Sequence, residues 1–552
     1  MWTLEQNPVS GEPEYIFSGM ESGIGDSPYA GISFMSGLDI KNSPKVAYSN
    51  IARAVSTMNF GLAQPAEQIN YTIQDPQFLS NLYSVTCQGI VRQSVDAGKT
   101  WTALSAPSGG GKVRHGNGLF IYNSWLHVVG DDSIDACAVD VTGTTGSWVT
   151  TMANVSFTKT QNYGQNHYSI VGRDAIVYMC NGNYVASIIT TGAYRPDLGT
   201  GYTFNDTALG LPLSGYYTGN YGVQATYLCE LQTNLLVAYG NQIIPWDRTS
   251  TSYGIPFPFP EFIAKMININ NTIYCFGGVP TYFNHSGGDY SGIFSSTNGD
   301  FYNPVASGRG NIYYYNGFSG DFLKSIPDHL ASTYPTSQEP KWLIGGISSY
   351  LNKIIFGAMD YNGNTYNGNT GVFSLDVSTQ SQAIQYQVAP SPLTIKNAGG
   401  FPTAICSTTN TLVNSNILSY STGVTIQQGI ASGGYYYNYT DQAGNREQGL
   451  IKTDILQIGT HLQNKTFNTI EVRFRNPLSA GETVQVYSYK YFGGSTSTSD
   501  QTNFTYTAPT ASKELSFTCP TVVQNNEEIE LYLITNPIQN GSGIPIKEII
   551  LR

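Results

Sequence analysis

The middle of the chain consists of short apolar runs that are separated by tight polar turns. Residues 119–130 join two such runs through Asn123 and Ser124, and residues 266–277 do the same through Asn270 and Asn271. Asparagine tolerates the left-handed backbone of a two-residue turn, and apolar and aromatic residues suit strands. Each segment therefore predicts an antiparallel β-hairpin. The same pattern recurs in residues 170–178, 228–239, 343–357 and 404–420.

The hairpins recur every 40 to 60 residues or so, about the spacing of the blades of a β-propeller with loop insertions. With a further hairpin near residue 94, the pattern gives seven candidate blades, and six or eight remain open. The apolar faces of successive blades would stack and bury a continuous core. The spacing alone leaves a β-sandwich or a β-helix as alternatives. We predict an all-β fold with a propeller of about seven blades.

The pattern changes after residues 432–434. Longer stretches alternate between apolar and polar residues, as in 469–475, 484–491 and 528–534. Such alternation predicts strands with one buried face, which is typical of a β-sandwich or jelly roll. The sequence thus predicts three regions: an N-terminal arm or docking segment (1–70), a β-propeller (71–430) and a C-terminal β-sandwich (431–552).

Residues 308–338 are predicted to form an insertion between blades. The expected insertion includes a short helix at 321–325, which Pro327 would end. It also carries Tyr313, Tyr314 and Tyr315. Tyrosine rings can stack on sugar rings, although tyrosines on a strand more often pack across strands or at an interface. These three residues are candidate glycan or interface contacts.

One turn has a specific sequence pattern. Ser94, Asp96, Gly98, Thr100 and Trp101 follow the order S-x-D-x-G-x-T-W. The aspartate can accept bonds from the amides that follow it, and the glycine can adopt a positive φ. This pattern resembles the Asp-box of sialidase-like and related β-propellers. The resemblance implies that the turn links the third and fourth strands of a blade and that Asp96 is structural.

A second, altered copy of this turn includes Ser295, Gly299 and Tyr302, with Thr297 in the position of the aspartate. A hydroxyl group forms the same turn less firmly than a carboxylate does. Two copies of one turn indicate repeated blades.

Charge and composition limit the classes of partner. The formal net charge is -11, only 11% of residues are charged, and lysine and arginine form no run. This balance argues against nucleic acid or an anionic membrane as the partner. The N-terminal residues show no basic start followed by an apolar core, so we expect no secretory signal. The seven cysteines are widely spaced, which favours buried free thiols over disulfides or a zinc site.

A sialidase-like activity would require a cluster of arginines that binds a carboxylate. The sequence has enough arginines in the propeller region, but the F/Y-R-I-P signature expected before the first Asp-box is missing. The candidates are Arg92, Arg114, Arg173, Arg195, Arg248 and Arg309.

Glycoside hydrolysis in general needs two carboxylates about 5 to 10 Å apart. The candidates form no recognisable pair; they are Asp131, Asp132, Asp135, Glu230, Asp247 and Glu261. Residues 360–364 resemble a calcium loop, but Gly371 stands where that loop needs a glutamate, which favours a plain hairpin loop. We therefore predict no catalytic residue, no metal and no cofactor.

Residues 37–44 resemble openings of bacteriophage tail-region proteins. The leading hypothesis is a structural virion protein of the tail or neck, assembled in the host cytoplasm, that packs against other virion proteins and against copies of itself. A receptor- or glycan-binding propeller of the tail is the alternative. A sialidase-like hydrolase is the third hypothesis.

Overall fold

The computed structural model describes most of the chain in separate ranges. These are residues 2–10, 13–18, 24–25, 32–42, 45–49, 52–53, 69–86, 89–96, 101–104, 116–130, 132–139, 145–157, 166–212, 224–281, 305–330, 341–350, 352–361, 370–377, 384–388, 402–410, 415–422, 434–438, 445–446, 448–457, 465–492, 495–507, 514–523, 527–538 and 543–552. Within them, regular structure consists of strands and two short 3₁₀ helices, Pro196–Leu198 and Asp328–Leu330.

Six short strands precede the propeller. They are β1 (Trp2–Gln6), β2 (Pro13–Phe17), β3 (Phe34–Ser36), β4 (Asp39–Asn42), β5 (Lys45–Ser49) and β6 (Ala52–Arg53).

Four successive antiparallel sheets form the first blades, each with its strands in chain order. Blade one contains β7 (Ile69–Gln74), β8 (Leu82–Thr86), β9 (Val91–Ser94) and β10 (Thr102–Ala103). Blade two contains β11 (Gly118–Tyr122), β12 (Trp125–Val129), β13 (Ile134–Val139) and β14 (Thr145–Val149). Blade three contains β15 (Ser169–Val171), β16 (Val177–Asn181), β17 (Tyr184–Arg195) and β18 (Thr200–Gly210). Blade four contains β19 (Ala225–Leu231), β20 (Asn234–Tyr239), β21 (Gln242–Trp246) and β22 (Phe257–Pro258).

The fifth and sixth blades share an insertion. The strands of this region are β23 (Ile263–Ile269), β24 (Thr272–Gly277), β25 (Val279–Thr281), β26 (Val305–Gly308), β27 (Asn311–Tyr315), β28 (Gly320–Ser325), β29 (Lys341–Tyr350), β30 (Lys353–Tyr361), β31 (Thr370–Asp376) and β32 (Ile384–Val388). Blade five has the order β23-β24-β27-β28, whereas β25 and β26 leave it: β25 pairs with β26, and β26 pairs with β29 of blade six.

Blade seven contains β33 (Pro402–Asn410), β34 (Ser415–Thr422) and β35 (Gly434–Asn438). The first strands of neighbouring blades contact each other around the whole series, and β33 contacts β7. The described residues therefore form a closed ring of seven blades, as the hairpin pattern predicts. Each predicted hairpin is a pair of strands in this ring.

Hydrogen bonds join the inner ends of neighbouring blades. The Asn70 side-chain amide donates to the Gly116 carbonyl (2.9 Å) between blades one and two. The Asn166 amide donates to the Thr226 carbonyl (2.5 Å) between blades three and four, and the Thr226 hydroxyl donates to the Ile263 carbonyl (3.0 Å) between four and five. These bonds satisfy buried polar groups and fix the position of one blade relative to the next.

The remaining strands form two large sheets, apart from one strand that belongs to a small two-stranded sheet. They are β36 (Asn445–Arg446), β37 (Gly449–Lys452), β38 (Leu456–Gln457), β39 (Lys465–Phe474), β40 (Thr483–Phe492), β41 (Ser495–Thr507), β42 (Glu514–Val523), β43 (Glu527–Asn536) and β44 (Ile544–Leu551). One large sheet has the order β1-β2-β44-β39-β42, and the other has the order β3-β37-β43-β40-β41. Strand β36 pairs with β6 in the small sheet. Buried residues of both large sheets belong to one hydrophobic cluster, which continues into blades five and six. Their identity as an independent β-sandwich domain stays a prediction.

The N-terminal strands are part of these sheets. Strand β2 pairs with β44, β5 pairs with β44, and β3 pairs with β37. Trp2 donates its indole N–H to the Asp454 carbonyl at 3.1 Å. The expectation of a separate N-terminal arm is therefore corrected, because its described strands are paired and packed within the fold.

The predicted insertion at 308–338 is also corrected. Residues 311–315 and 320–325 are the third and fourth strands of blade five, so 321–325 is a strand and not a helix. The apolar and aromatic alternation of β27 gives the physical reason, because it matches a pleated strand that buries one face. The insertion that the structure contains consists of strands β25 and β26, which lie between the second and third strands of blade five in the chain.

A long hairpin braces blade three against blade two. Strands β17 and β18 carry Tyr194 over to His127, whose Nε2 lies 2.8 Å from the tyrosine hydroxyl. His127 is fully buried and stacks on Phe120 with ring centroids 4.5 Å apart. Burial lowers the pKa of His127 to about 3, so this imidazole is neutral in the folded protein.

We expect Gly346→Val to destabilise the protein by about 3 kcal/mol, because it overpacks the junction of blades six and seven. A Cβ at Gly346 would lie 2.6 Å from the Ile405 backbone nitrogen. The control is Gly146→Val on an outer strand, where the nearest atom would be 3.5 Å away. Urea unfolding of both variants measures the effect, and equal stabilities of the two would contradict this packing argument.

We expect acid to destabilise the fold through His127. Its folded pKa of about 3 lies below the unfolded value of 6.5. The stabilisation is therefore complete above pH 6.5 and is lost as the pH falls towards 3, by up to about 4 kcal/mol. Urea midpoints at pH 7 and pH 4.5 measure this loss.

His127→Asn should flatten that pH dependence, whereas Tyr194→Phe should lower stability at both pH values by about 1–3 kcal/mol and keep the dependence. An unchanged pH dependence in His127→Asn would assign the acid sensitivity to other groups.

Candidate functional site

Two of the three tyrosines that were candidate glycan or interface contacts are buried in the core. Tyr313 and Tyr315 lie on β27 with 4% and 3% of their surface exposed and pack in the core between blades four and five. The Tyr313 hydroxyl donates to Glu261 Oε1 at 2.7 Å. Tyr314, on the opposite face of the strand, is half-buried. The prediction of glycan contacts at Tyr313 and Tyr315 is corrected, because alternate residues of this strand point into the core.

The Asp-box-like turn lies between β9 and β10, the third and fourth strands of blade one. The Ser94 hydroxyl donates to Asp96 Oδ1 at 2.8 Å. Trp101 packs against Ile69 of blade one and Ala404 of blade seven. The turn thus holds an aromatic side chain where the ring closes. The other predicted members of the two turns, Gly98, Thr100, Ser295, Gly299 and Tyr302, lie outside the described residues.

The candidate carboxylates that the structure describes take part in local contacts. Asp247 accepts bonds from the Thr249 and Ser250 amides, and such bonds lower its pKa to about 2. Asp135 is buried and accepts the Thr151 amide at 2.7 Å. These geometries are those of turn formers and caps. Asp131 lies outside the described residues.

Three of the candidate arginines, Arg173, Arg195 and Arg248, contact carboxylates. Arg248 contacts Glu230 at 2.7 Å and Asp174 at 3.1 Å, and Arg173 contacts the same glutamate at 3.6 Å. Arg195 forms a bidentate pair with Asp197 on an exposed hairpin. Arg114 lies outside the described residues. The guanidinium groups with described partners are thus neutralised by neighbouring carboxylates.

The innermost strands of the propeller surround a central channel. It has a volume of about 720 Å³ and is lined by the first strand of every blade. This volume is within the range of about 300–1,000 Å³ that small-molecule sites occupy.

Four side chains form an arc along the channel wall: Tyr71, Tyr168, Tyr227 and Lys265, which we call the channel arc. The Tyr71 and Tyr168 ring centroids lie 6.1 Å apart. Tyr168 and Tyr227 stack with centroids at 3.7 Å and planes at 19°. The Lys265 ammonium lies 5.9 Å from the Tyr227 centroid, which is a cation–π contact.

Lys265 is 1% exposed. Within the described residues its ammonium forms no hydrogen bond and no ion pair. Its one electrostatic contact there is the cation–π contact with the ring of Tyr227. Burial lowers the pKa of Lys265 to about 7. A cation without a carboxylate partner in such a place costs stability.

The channel arc was not found from the sequence, although one signal was present. Lys265 interrupts an otherwise apolar run in residues 263–267, which form the innermost strand of a blade. A charged residue at such a position is a buried charge, and buried charges are rare unless they are paired. The arc combines a cation with aromatic rings, an arrangement that can bind ligands but has no nucleophile–base pair for hydrolysis.

No family model matches the chain, and no curated protein matches it. Among solved structures the chain is similar to YCF48 from Cyanidioschyzon merolae, with 11% identity over 70% of this chain and 98% of that chain and a TM-score of 0.40. It is similar to an ancestral GH74 enzyme, with 12% identity over 73% of this chain and 53% of that chain and a TM-score of 0.44. It is similar to BamB from Moraxella catarrhalis, with 13% identity over 67% of this chain and 82% of that chain and a TM-score of 0.33. These proteins are β-propellers, and likeness at this level says nothing about function.

We expect Lys265→Met to be more stable than the wild type by about 2–4 kcal/mol at pH 7. The folded pKa of about 7 lies below the unfolded value of 10.5, so the wild type gains stability as the pH rises from 7 to 10.5. The difference between the two proteins should therefore shrink over this range. Thermal unfolding at pH 7 and pH 10 measures it, and a less stable variant at pH 7 would show that the ammonium has a stabilising partner.

Proposed function

We propose that this protein is a structural component of a bacteriophage tail or neck, where it packs against a neighbouring copy of itself and other virion proteins and does not turn over a substrate. The proposal places it in the virion after assembly in the host cytoplasm. It is supported by the sequence resemblance of residues 37–44 and by one feature of the propeller surface. That feature is an exposed apolar edge on blades four and five.

The outer-edge patch consists of Ile255, Phe318 and Phe322. Ile255 and Phe318 are both 90% exposed, and Phe322 is 50% exposed. Phe257, two residues after Ile255, packs with its ring centroid 5.0 Å from that of Tyr315. The fourth strand of blade four therefore packs against the third strand of blade five near this edge. Exposed apolar side chains that share one surface are typical of protein–protein contact sites.

The turn that carries Phe318 is held in one conformation. The Asn316 side chain accepts bonds from the Phe318 and Ser319 amides at 3.0 and 2.9 Å. The Asn316 amide donates to the Ser319 carbonyl at 3.0 Å. A preformed turn loses little entropy when a partner binds, which favours association through Phe318.

A second copy of this chain is the partner we propose for the patch. A contact between one edge of the propeller and a different surface of the next copy is heterologous, and such contacts form rings where the rotation closes and helical filaments where it does not. Only 11% of the residues are charged, which suits a subunit that is surrounded by neighbours. The described part of the chain has no helix long and apolar enough to cross a bilayer.

We expect the double variant Ile255→Ser/Phe318→Ser to weaken self-association at least tenfold, because two exposed apolar anchors are lost. Sedimentation velocity over a concentration series measures the association constant. Leu198→Ser is the matched control, since Leu198 is 63% exposed on the β17–β18 hairpin of another blade.

A wild-type protein that stays monomeric at every concentration would overturn the self-association part of the proposal. Antibodies against the purified protein test its location, and we expect them to label purified phage particles by electron microscopy. Particles without label would overturn the virion assignment.

A further inference from the structure

We propose that the central channel is a binding site for a small oxyanion, a carboxylate or phosphate group, whose charge is received by Lys265. The proposal goes beyond the assembly role, because it concerns a ligand inside the propeller and not its outer edge. It starts from a buried ammonium that faces a cavity and has no hydrogen-bond or ion-pair partner in the described chain.

The charge balance around the channel points to an external anion. Glu230 lies along the channel lining, but its carboxylate contacts Arg248 at 2.7 Å, and that arginine also contacts Asp174. The glutamate is therefore engaged at blades three and four. A negative charge for the protonated form of Lys265 would then come from a ligand.

A partly buried lysine of this chain, Lys452, has an internal counter-charge. Lys452 lies over the rings of Phe34 and Tyr532, at 5.5 and 4.5 Å from their centroids. Burial lowers its pKa, but the carboxylate of Glu530 acts in the opposite direction. The fold thus supplies an internal counter-charge at Lys452 and supplies none at Lys265.

The walls of the channel suit a small ligand. Tyr168 and Tyr227 are stacked on each other and form one aromatic surface beside the ammonium. Ser348 and Asn268 also line the cavity, although each bonds to neighbouring backbone. A buried ammonium beside aromatic rings attracts an anion more strongly than it would in water.

The channel also makes binding depend on pH. Besides the channel arc, the titratable groups that line it are Cys229, Cys406, Glu230 and Arg173. Burial raises the pKa of Cys229 and of Cys406 to about 12, and it raises the pKa of Tyr168 and Tyr227. These thiols and phenols stay neutral between pH 6 and 9. Lys265, with a pKa of about 7, is the group that changes charge there.

The test is isothermal titration calorimetry of the full chain with sodium acetate and with inorganic phosphate, at pH 6 to 9. We expect one site per chain for at least one of these probes. The affinity for acetate should fall about tenfold per pH unit above pH 7, because binding then requires proton uptake. Acetate without phosphate assigns a carboxylate ligand, and phosphate without acetate assigns a phosphate ligand.

Three variants assign the site. Lys265→Gln should lower the affinity at least tenfold at pH 6. Lys265→Arg should keep binding and lose its pH dependence, because the guanidinium stays charged. Lys324→Gln is the matched control, since Lys324 lies on β28, the outermost strand of the same blade, and this variant should bind as the wild type does.

Absence of binding by both anions at pH 6 would overturn the proposal. Binding that Lys265→Gln retains would overturn it as well, because the anion would then lie elsewhere. Neither result affects the proposed self-association, which is measured on the outer edge.

Discussion

The structure depends on the close approach of the seven innermost strands, since the ring closes only where backbones can nearly touch. Two glycines show the constraint. A Cβ at Gly346 would lie 2.6 Å from the Ile405 backbone nitrogen, and a Cβ at Gly118 would lie 2.3 Å from the His167 carbonyl oxygen. Trp101 contributes to ring closure by packing against Ile69 of blade one and Ala404 of blade seven. No covalent bond closes this ring of separate sheets in the described chain. Close backbone packing, hydrogen bonds of side-chain amides and one aromatic side chain hold neighbouring blades together instead.

Much of this fold could be predicted from the sequence because hairpins have a strong local signal. The turns at Asn123–Ser124 and Asn270–Asn271 adopt the positive φ that their residues favour, and both lie between the first two strands of a blade. Pairing between distant segments has no such signal. The sequence therefore did not predict that β2 pairs with β44 or that β26 leaves blade five to pair with β29.

The candidate site was predicted less well, for a related reason. Tyr313 and Tyr315 are aromatic residues beside a glycine-rich segment. Residues two positions apart on a strand face the same side of the sheet, and both tyrosines face the core. The Asp-box-like turn was placed correctly between two outer strands of blade one. The channel arc was missed, since Tyr71, Tyr168, Tyr227 and Lys265 come from four blades, and only closure of the ring brings them together.

The pairing of β2 with β44 has a consequence for how the chain matures. Strand β2 is synthesised before the strands of the propeller, whereas its partner β44 is synthesised after them. All seven blades are synthesised between these two events. Tyr15 and Phe17 therefore have no β44 to pair with while the propeller strands are synthesised. The sheet that contains them can form only after translation has reached β44.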